Sequence, residues 1–158
     1  MSLLVNGKFP PVSAITSSDV TAEERTSAVD FVNRSNLLFE EWDIEKVLST
    51  FLDDSTVFHF YGVIEGREEN RKFLTETYPY LISGVTRHAT NHIVDRDGED
   101  GVVVRYHEQL FRNVWPTDVG SDAGTAGERM DGLPALWLYS PMMDRLRKTD
   151  DGWKIFER

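Results

Sequence analysis

The sequence predicts an α+β fold in which helices pack on one face of a curved antiparallel sheet. Two observations lead to this prediction. Apolar residues recur at helical spacing in the first half of the chain, and β-branched and aromatic runs typical of strands dominate the second half. Helices that come early and strands that come late favour this arrangement over alternating βαβ units. At 158 residues and 40% hydrophobic content, the chain fits one domain over residues 19–158, preceded by a flexible arm at residues 1–18.

The helices are predicted from capping residues and from the apolar residues that follow them. Thr21 and Glu24 have the spacing of a capping box, so the first helix should begin there. The face that this helix turns to the core would carry Ala28, Phe31, Val32, Ser35, Leu38, Phe39 and Trp42. Asp43 should cap a short second helix that includes Phe51, and a third helix is expected from about residue 67.

The strands are predicted from runs bounded by turn residues. They are expected at residues 56–61, 85–95, 102–115, 135–148 and 153–156. The segment "RDGEDG" should join the second and third of these as an antiparallel hairpin. Pro141 should bend its strand or mark a bulge. The polar, glycine-containing stretch 116–134 is expected to be an exposed loop and is a candidate lid.

Composition excludes several classes of function. The 27 acidic and 17 basic residues give a formal charge of -10, which disfavours nucleic acid and anionic membranes as partners. The chain has no cysteine, so thiolate catalysis, disulfides and cysteine-based metal sites are excluded. No run approaches the roughly 20 apolar residues that span a bilayer. We therefore expect a soluble, cytoplasmic protein.

Two histidines, His88 and His107, are the candidate catalytic residues. They lie in the two strands of the predicted hairpin, which could aim both imidazoles into one apolar cavity, where histidine can exchange protons near neutral pH. Strand alternation leaves the direction open: if His107 points outward, Tyr106 and Val104 line the core instead. His88 and His92 would lie roughly 13 Å apart on a strand, so this pair is not expected to bind a metal.

Further candidates would bind a substrate. The Tyr61 hydroxyl could hold a carbonyl oxygen, and His59 shares its face of the strand. Other aromatic residues could stack on a flat ligand or simply fill the core: Phe58, Trp42, Trp137 and Tyr139. Of these four, Trp137 and Tyr139 are the more suited to line a pocket. Glu108 alternates away from His107, so the sequence shows no carboxylate paired with that histidine.

The order of elements resembles the SnoaL-like branch of the NTF2-like superfamily over roughly residues 25–158. The segments that carry the resemblance are "EEWDIEKVLSTFLDDSTVF", "GREENRKFL", "RHATNHIV" and "DRLRKTDDGWKIFER". It implies a cone, in which a bent sheet surrounds helices and a deep apolar pocket. Scytalone dehydratases are similar in placing catalytic histidines where His88 and His107 stand. Their tyrosine-aspartate pair is replaced by leucines at residues 37–38, and their pocket asparagine falls near Met142.

This resemblance implies a lyase or isomerase that needs no cofactor. The reaction would be dehydration, cyclisation or double-bond isomerisation of a small hydrophobic, oxygenated ring compound in secondary metabolism or catabolism, with His88 and His107 as base and acid. The alternative is a ligand-binding or assembly protein with the same fold and no catalysis. The resemblance also implies a homodimer formed through the open face of the sheet.

Overall fold

The computed structural model describes residue 9, residues 11–114 and residues 132–158. Within these residues the helices are α1 (Ala22–Glu41), α2 (Ile44–Ser49), α3 (Gly66–Glu76) and α4 (Pro79–Ile82). The strands are β1 (Phe51–His59), β2 (Gly62–Glu65), β3 (Val85–Arg96), β4 (Gly101–Arg112), β5 (Ala135–Thr149) and β6 (Gly152–Glu157). Helices precede most of the sheet, so the predicted α+β class is confirmed.

The predicted helix caps form through local hydrogen bonds. At the start of α1, Glu24 N donates to Thr21 Oγ1 over 3.1 Å, and Thr21 N donates to Glu24 Oε2 over 2.9 Å. Helix α1 ends at Trp42, whose backbone is left-handed with φ 56°. Asp43 Oδ1 then accepts a hydrogen bond from Lys46 N and caps α2. Both caps depend on residues three positions apart, which is why the sequence alone predicts them.

The first half of the sheet differs from the prediction. Helix α2 ends at Ser49, and Phe51 begins β1 rather than extending the helix. Phe51 pairs in parallel with Ile155 of β6, and Ile155 N donates to the Thr50 carbonyl over 2.8 Å. The expectation of a wholly antiparallel sheet is therefore wrong at this pair. A short strand that the sequence did not predict, β2, follows β1 and pairs with it.

The six strands form one open sheet in the order β2-β1-β6-β5-β4-β3. The predicted hairpin between β3 and β4 is confirmed, and it is antiparallel. The register shift between β4 and β5 lies at Trp137, whereas Pro141 pairs regularly with His107, so the predicted bulge at Pro141 is wrong. Strand β6 pairs only with residues 145–149 of β5, so no residue of β6 lies opposite Pro141. The N–H group that proline lacks is therefore not needed for pairing with β6.

Strand β4 defines two faces of the sheet. Its even-numbered residues are buried and include Val104, Tyr106 and Glu108, while its odd-numbered residues are only half-buried. We call the face beneath helix α1 the inner face, because Asn36 of α1 hydrogen-bonds Glu108 there. The opposite side is the outer face. The core lies between the inner face and the helices.

Some predictions concern segments that are not described. The predicted loop at 116–134 and its role as a lid lie outside the described residues, apart from residues 132–134. The arm predicted at residues 1–18 also falls partly outside them. Of the helices in the described ranges, none has the length and apolar character that crossing a membrane requires.

Candidate active site

A cavity of about 230 Å³ lies between the inner face of the sheet and helices α3 and α4. An engineered protein cavity of about 150 Å³ holds benzene, so this one has room for one or two fused rings. The aromatic residues of its wall are Phe39, Phe51, Phe58, Phe60, Phe73, Tyr78 and Trp137. Its polar wall residues are His59, Asn70, Arg87, Glu108, Ser140 and Arg158. Residues 11–114 and 132–158 contain no cluster of three or more His, Asp or Glu side chains that suits a metal ion.

The predicted substrate-binding residues divide between the wall and its surroundings. Phe58, His59 and Trp137 line the cavity. Tyr61 does not line it but stacks on His59 with 5.5 Å between the ring centroids. Trp42 stacks 6.1 Å from the ring of the wall residue Tyr78, behind the cavity surface.

The structure places His88, His107 and Tyr139 on the outer face. The His107 ring lies 5.3 Å from that of Tyr139, and its Nδ1 is 3.3 Å from Asn91 Nδ2. His88 is exposed and meets the edge of Phe111 at 5.3 Å. The sequence left the direction of both imidazoles open, and in the structure strand alternation turns them away from the cavity.

Glu108, the neighbour of His107, occupies the inner face instead. It is 1% exposed, and its Oε2 accepts a hydrogen bond from Asn36 Nδ2 over 3.1 Å. Its Oε1 lies 3.7 Å from Arg87 Nη1 and accepts no hydrogen bond from any described residue. Burial raises the pKa of Glu108, and the positive charges of Arg87 and Arg158 only partly oppose the rise. A carboxyl group in this setting can both take and return a proton.

Arg87 is held beside Glu108 by aromatic side chains. Its guanidinium carbon lies 4.5 Å from the centre of the Phe39 ring, and its Nη2 donates a hydrogen bond to the Tyr78 hydroxyl. Arg87 is paired with Leu110 across β3 and β4, so it shares the inner face with the carboxyl. The rings fix the guanidinium, which places a stable positive charge near Glu108 Oε1.

A second buried ion pair lies beneath the cavity. Arg158 donates to Asp144 through Nε at 2.7 Å and through Nη2 at 2.6 Å. Tyr106 OH donates to Asp144 Oδ2 over 3.1 Å, and Ser35 Oγ accepts from Arg158 Nη2 over 3.2 Å. Burial is the largest single influence and lowers the pKa of Arg158, but Asp144, Tyr106 and Glu108 together outweigh burial and raise the pKa. The charge of Arg158 is therefore already compensated.

His59 is a neutral hydrogen-bonding group in the cavity wall. Burial, aided by the positive charge of Arg87, lowers the pKa of His59 to about 4. Tyr61 N donates to His59 Nδ1 over 3.3 Å, so the proton of the neutral ring belongs on Nε2. At neutral pH this imidazole can donate one hydrogen bond, and it carries no charge.

Sequence reasoning missed most of the polar groups around the carboxyl. The resemblance pointed to residues 37–38 for a polar partner from α1, but Asn36 supplies it. Met142 does line the cavity, at the position where a pocket asparagine was expected. The usable signal was the alternation in β4: an inward Tyr106 requires an inward Glu108.

Comparisons with known proteins agree with this architecture. A family model described as SnoaL-like domain matches residues 20–158, and no curated protein sequence matches the chain. One similar structure is a protein provisionally called a scytalone dehydratase from Novosphingobium aromaticivorans, with a TM-score of 0.69 and 22% identity over 89% of this chain and 85% of that one.

Two further structures have the same fold. An NTF2-like protein with a cystatin-like fold from Novosphingobium aromaticivorans gives a TM-score of 0.60 and 18% identity, over 86% of this chain and 79% of that one. A ketosteroid isomerase-like protein from Erwinia carotovora atroseptica gives 0.56 and 16%, over 87% and 94%. Identities this low show the fold alone, and the predicted NTF2-like fold is confirmed. With residues 20–158 matched, the chain belongs to the SnoaL-like domain family.

Proposed function

We propose that this protein is an acid–base enzyme in which Glu108 moves a proton on a small, apolar, oxygen-bearing ring compound. One observation carries the proposal: a buried carboxyl group, one oxygen of which accepts no hydrogen bond from the described residues, lies in the wall of an aromatic-lined cavity. A surface carboxylate is ionised and hydrated at neutral pH and is a weak base. A buried one has a higher pKa and becomes a better base when ionised.

The contacts of Glu108 give its two oxygens different roles. Asn36 Nδ2 holds Oε2 and orients the carboxyl group. Oε1 remains free of hydrogen bonds from the described residues and can reach a proton on a bound ring. The Arg87 charge favours the ionised carboxyl, which is the form that acts as a base.

Proton removal and return by one carboxyl group accounts for several reactions. Removing a proton next to a carbonyl gives an enolate, and returning it to a different carbon moves a double bond. If the enolate instead breaks the C–O bond of a hydroxyl on the neighbouring carbon, and that hydroxyl takes the proton from Glu108 and leaves as water, the product is dehydrated. Neighbouring structures named for dehydratase and isomerase chemistry support a lyase or isomerase of this kind.

The test is proton exchange on a ketone. 1-Tetralone, a bicyclic aryl ketone that suits a cavity of this volume, is incubated with the protein in D₂O, and deuterium at the carbon next to the carbonyl is followed by mass spectrometry. We expect catalysed exchange, and Glu108→Gln should slow it by at least about 100-fold because glutamine cannot take the proton. The matched control is His107→Gln, on the next residue but the outer face, which should exchange at the original rate.

Two results would contradict the proposal. One is exchange at the original rate in Glu108→Gln. The other is a wild-type protein that binds 1-tetralone and does not exchange its protons. That second result would favour the alternative, a ligand-binding protein without catalysis.

A further inference from the structure

Asn70 is a buried polar residue that the proton transfer described above does not use. It lies in α3, is 4% exposed and lines the same cavity as Glu108. Its Nδ2 has no hydrogen-bond partner among the described residues. Buried amide groups in proteins are almost always paired, so an unpaired one in a cavity wall indicates a missing acceptor.

The neighbours of Asn70 do not supply that acceptor. The next wall residues on its helix, Phe73 and Leu74, are apolar. The carboxylate of Glu69 is engaged with the backbone of Glu65, since Glu65 N donates to its Oε2 over 2.9 Å. By contrast, the other buried amide of this core, Asn36, uses its Nδ2 on Glu108.

Among the described wall residues, two fully buried side-chain polar atoms therefore lack hydrogen bonds, one on each of two elements. Asn70 Nδ2 can donate, and Glu108 Oε1 can accept. They do not bond to each other, so a ligand placed between them could engage both at once. Such a ligand presents an acceptor oxygen to Asn70 and an acidic hydrogen to Glu108.

The charges around the cavity indicate which kind of oxygen atom a ligand would present to Asn70. Arg87 faces Glu108, and Arg158 is bound by Asp144, so each guanidinium already has a carboxylate. A ligand carboxylate or phosphate would have to compete for these cations. An amide N–H in an apolar wall is instead suited to an uncharged carbonyl oxygen.

We infer that Asn70 binds the carbonyl oxygen of the substrate, and that the substrate is an uncharged ring ketone. The inference rests on the proposed function, because it names the group that holds the oxygen during proton transfer. As the C–H bond breaks, its proton goes to Glu108 Oε1 and its electron pair forms the carbon–carbon double bond of an enolate. The negative charge of the enolate then lies on the oxygen that accepts a hydrogen bond from Asn70 Nδ2. The reverse step returns the proton from Glu108 to carbon.

Binding of two matched probes tests this inference without any turnover. 1-Tetralone and tetralin share a ring skeleton and differ in the carbonyl group, and calorimetry measures both affinities. In the wild-type protein the ketone should bind more tightly. In Asn70→Leu the preference for the ketone should fall by about tenfold, as expected for one lost hydrogen bond, while tetralin binding stays within about twofold.

Two further variants make the result specific. Asn70→Asp keeps the size of the side chain and replaces the donor with an acceptor, so it should lose the ketone preference as well. The matched control is Lys72→Leu, on the exposed side of the same helix and outside the cavity wall, which should keep the preference.

The outcomes separate this inference from the proposed function. An unchanged ketone preference in both Asn70 variants would overturn the role of Asn70, and failure of both probes to bind would overturn the ligand class. If Asn70→Leu loses the preference while Glu108→Gln still exchanges protons, Asn70 binds the oxygen and Glu108 is not the base. If only Glu108→Gln has an effect, the proposed function stands and this inference fails.

Discussion

The inner and outer faces of strand β4 place two adjacent residues in opposite environments. Glu108 is buried against Asn36 and near Arg87, whereas His107 lies on the outer face beside Tyr139. Histidine has the unperturbed pKa closer to neutrality, yet it lies on the face without the cavity. Burial instead raises the pKa of the carboxyl that does reach the cavity. The position of a group on the sheet, and not its type, therefore decides which residue is suited to catalysis here.

The same contrast governs stability. Polar groups on the inner face are buried and depend on their partners, so losing one partner leaves an uncompensated charge. Groups on the outer face and on exposed helix surfaces can exchange a protein partner for water. The following predictions measure this difference, beginning with the largest effect.

Removal of Asp144 should destabilise the protein most. Asp144→Ala leaves the buried Arg158 guanidinium without its carboxylate and should lower the free energy of unfolding by about 3–5 kcal/mol. The control is Asp30→Ala, which breaks the exposed pair of Asp30 with Arg34 and should lower the free energy of unfolding far less, because water replaces the lost partner. Urea denaturation measures both. Similar losses of unfolding free energy in the two variants would show that burial on the inner face does not make an ion pair more important for stability.

Glu108 should make stability depend on pH in a particular direction. Its pKa in the folded protein is raised above the usual 4.5, so the folded state holds the proton more tightly than the unfolded chain does. Stability from this group is fully present below pH 4.5 and is lost as pH rises through the folded pKa, by at most about 1.4 kcal/mol per pH unit. Glu108→Gln should therefore gain stability relative to wild type as pH rises.

Denaturation curves across pH 4 to 8 check this, and Glu99→Gln in the exposed turn between β3 and β4 serves as the control. The control variant should follow the wild-type curve. A Glu108→Gln variant that loses stability relative to wild type with rising pH would mean that the folded protein favours the ionised carboxyl.

His59 should make stability depend on pH with the opposite slope. Its pKa falls from 6.5 to about 4 on folding, so the unfolded chain binds the proton first. The stability this group contributes is present above pH 6.5 and is lost as pH falls through 4. The ring is only part-buried, so solvent screening reduces the effect. His59→Phe should flatten the acid side of the stability curve, and an unchanged slope would contradict the assignment.

Local chemistry made part of this fold predictable. The caps at Thr21 and Asp43 and the hairpin between β3 and β4 each depend on residues a few positions apart. The start of β1 at Phe51 was not predictable in this way, because it depends on parallel pairing with Ile155, far along the chain. Long-range pairing leaves no local pattern in the sequence.

The site was harder to predict because polar residues occur on both faces of its strands. Arg87 and His88 are adjacent on β3, as are His107 and Glu108 on β4, so either direction of the strands would turn an ionisable group toward the cavity. The contact of Glu108 with Asn36, 72 positions away, leaves no local pattern in the sequence. The homodimer and the cytoplasmic location stay predictions.

The smallest effect is expected from the outer face. His88→Ala and His107→Ala should each change the free energy of unfolding by no more than about 0.5 kcal/mol, since neither side chain fills the core. Proton exchange on 1-tetralone should continue in both variants. Loss of exchange in either variant would place the chemistry on the outer face and reverse the comparison between the two sides of β4.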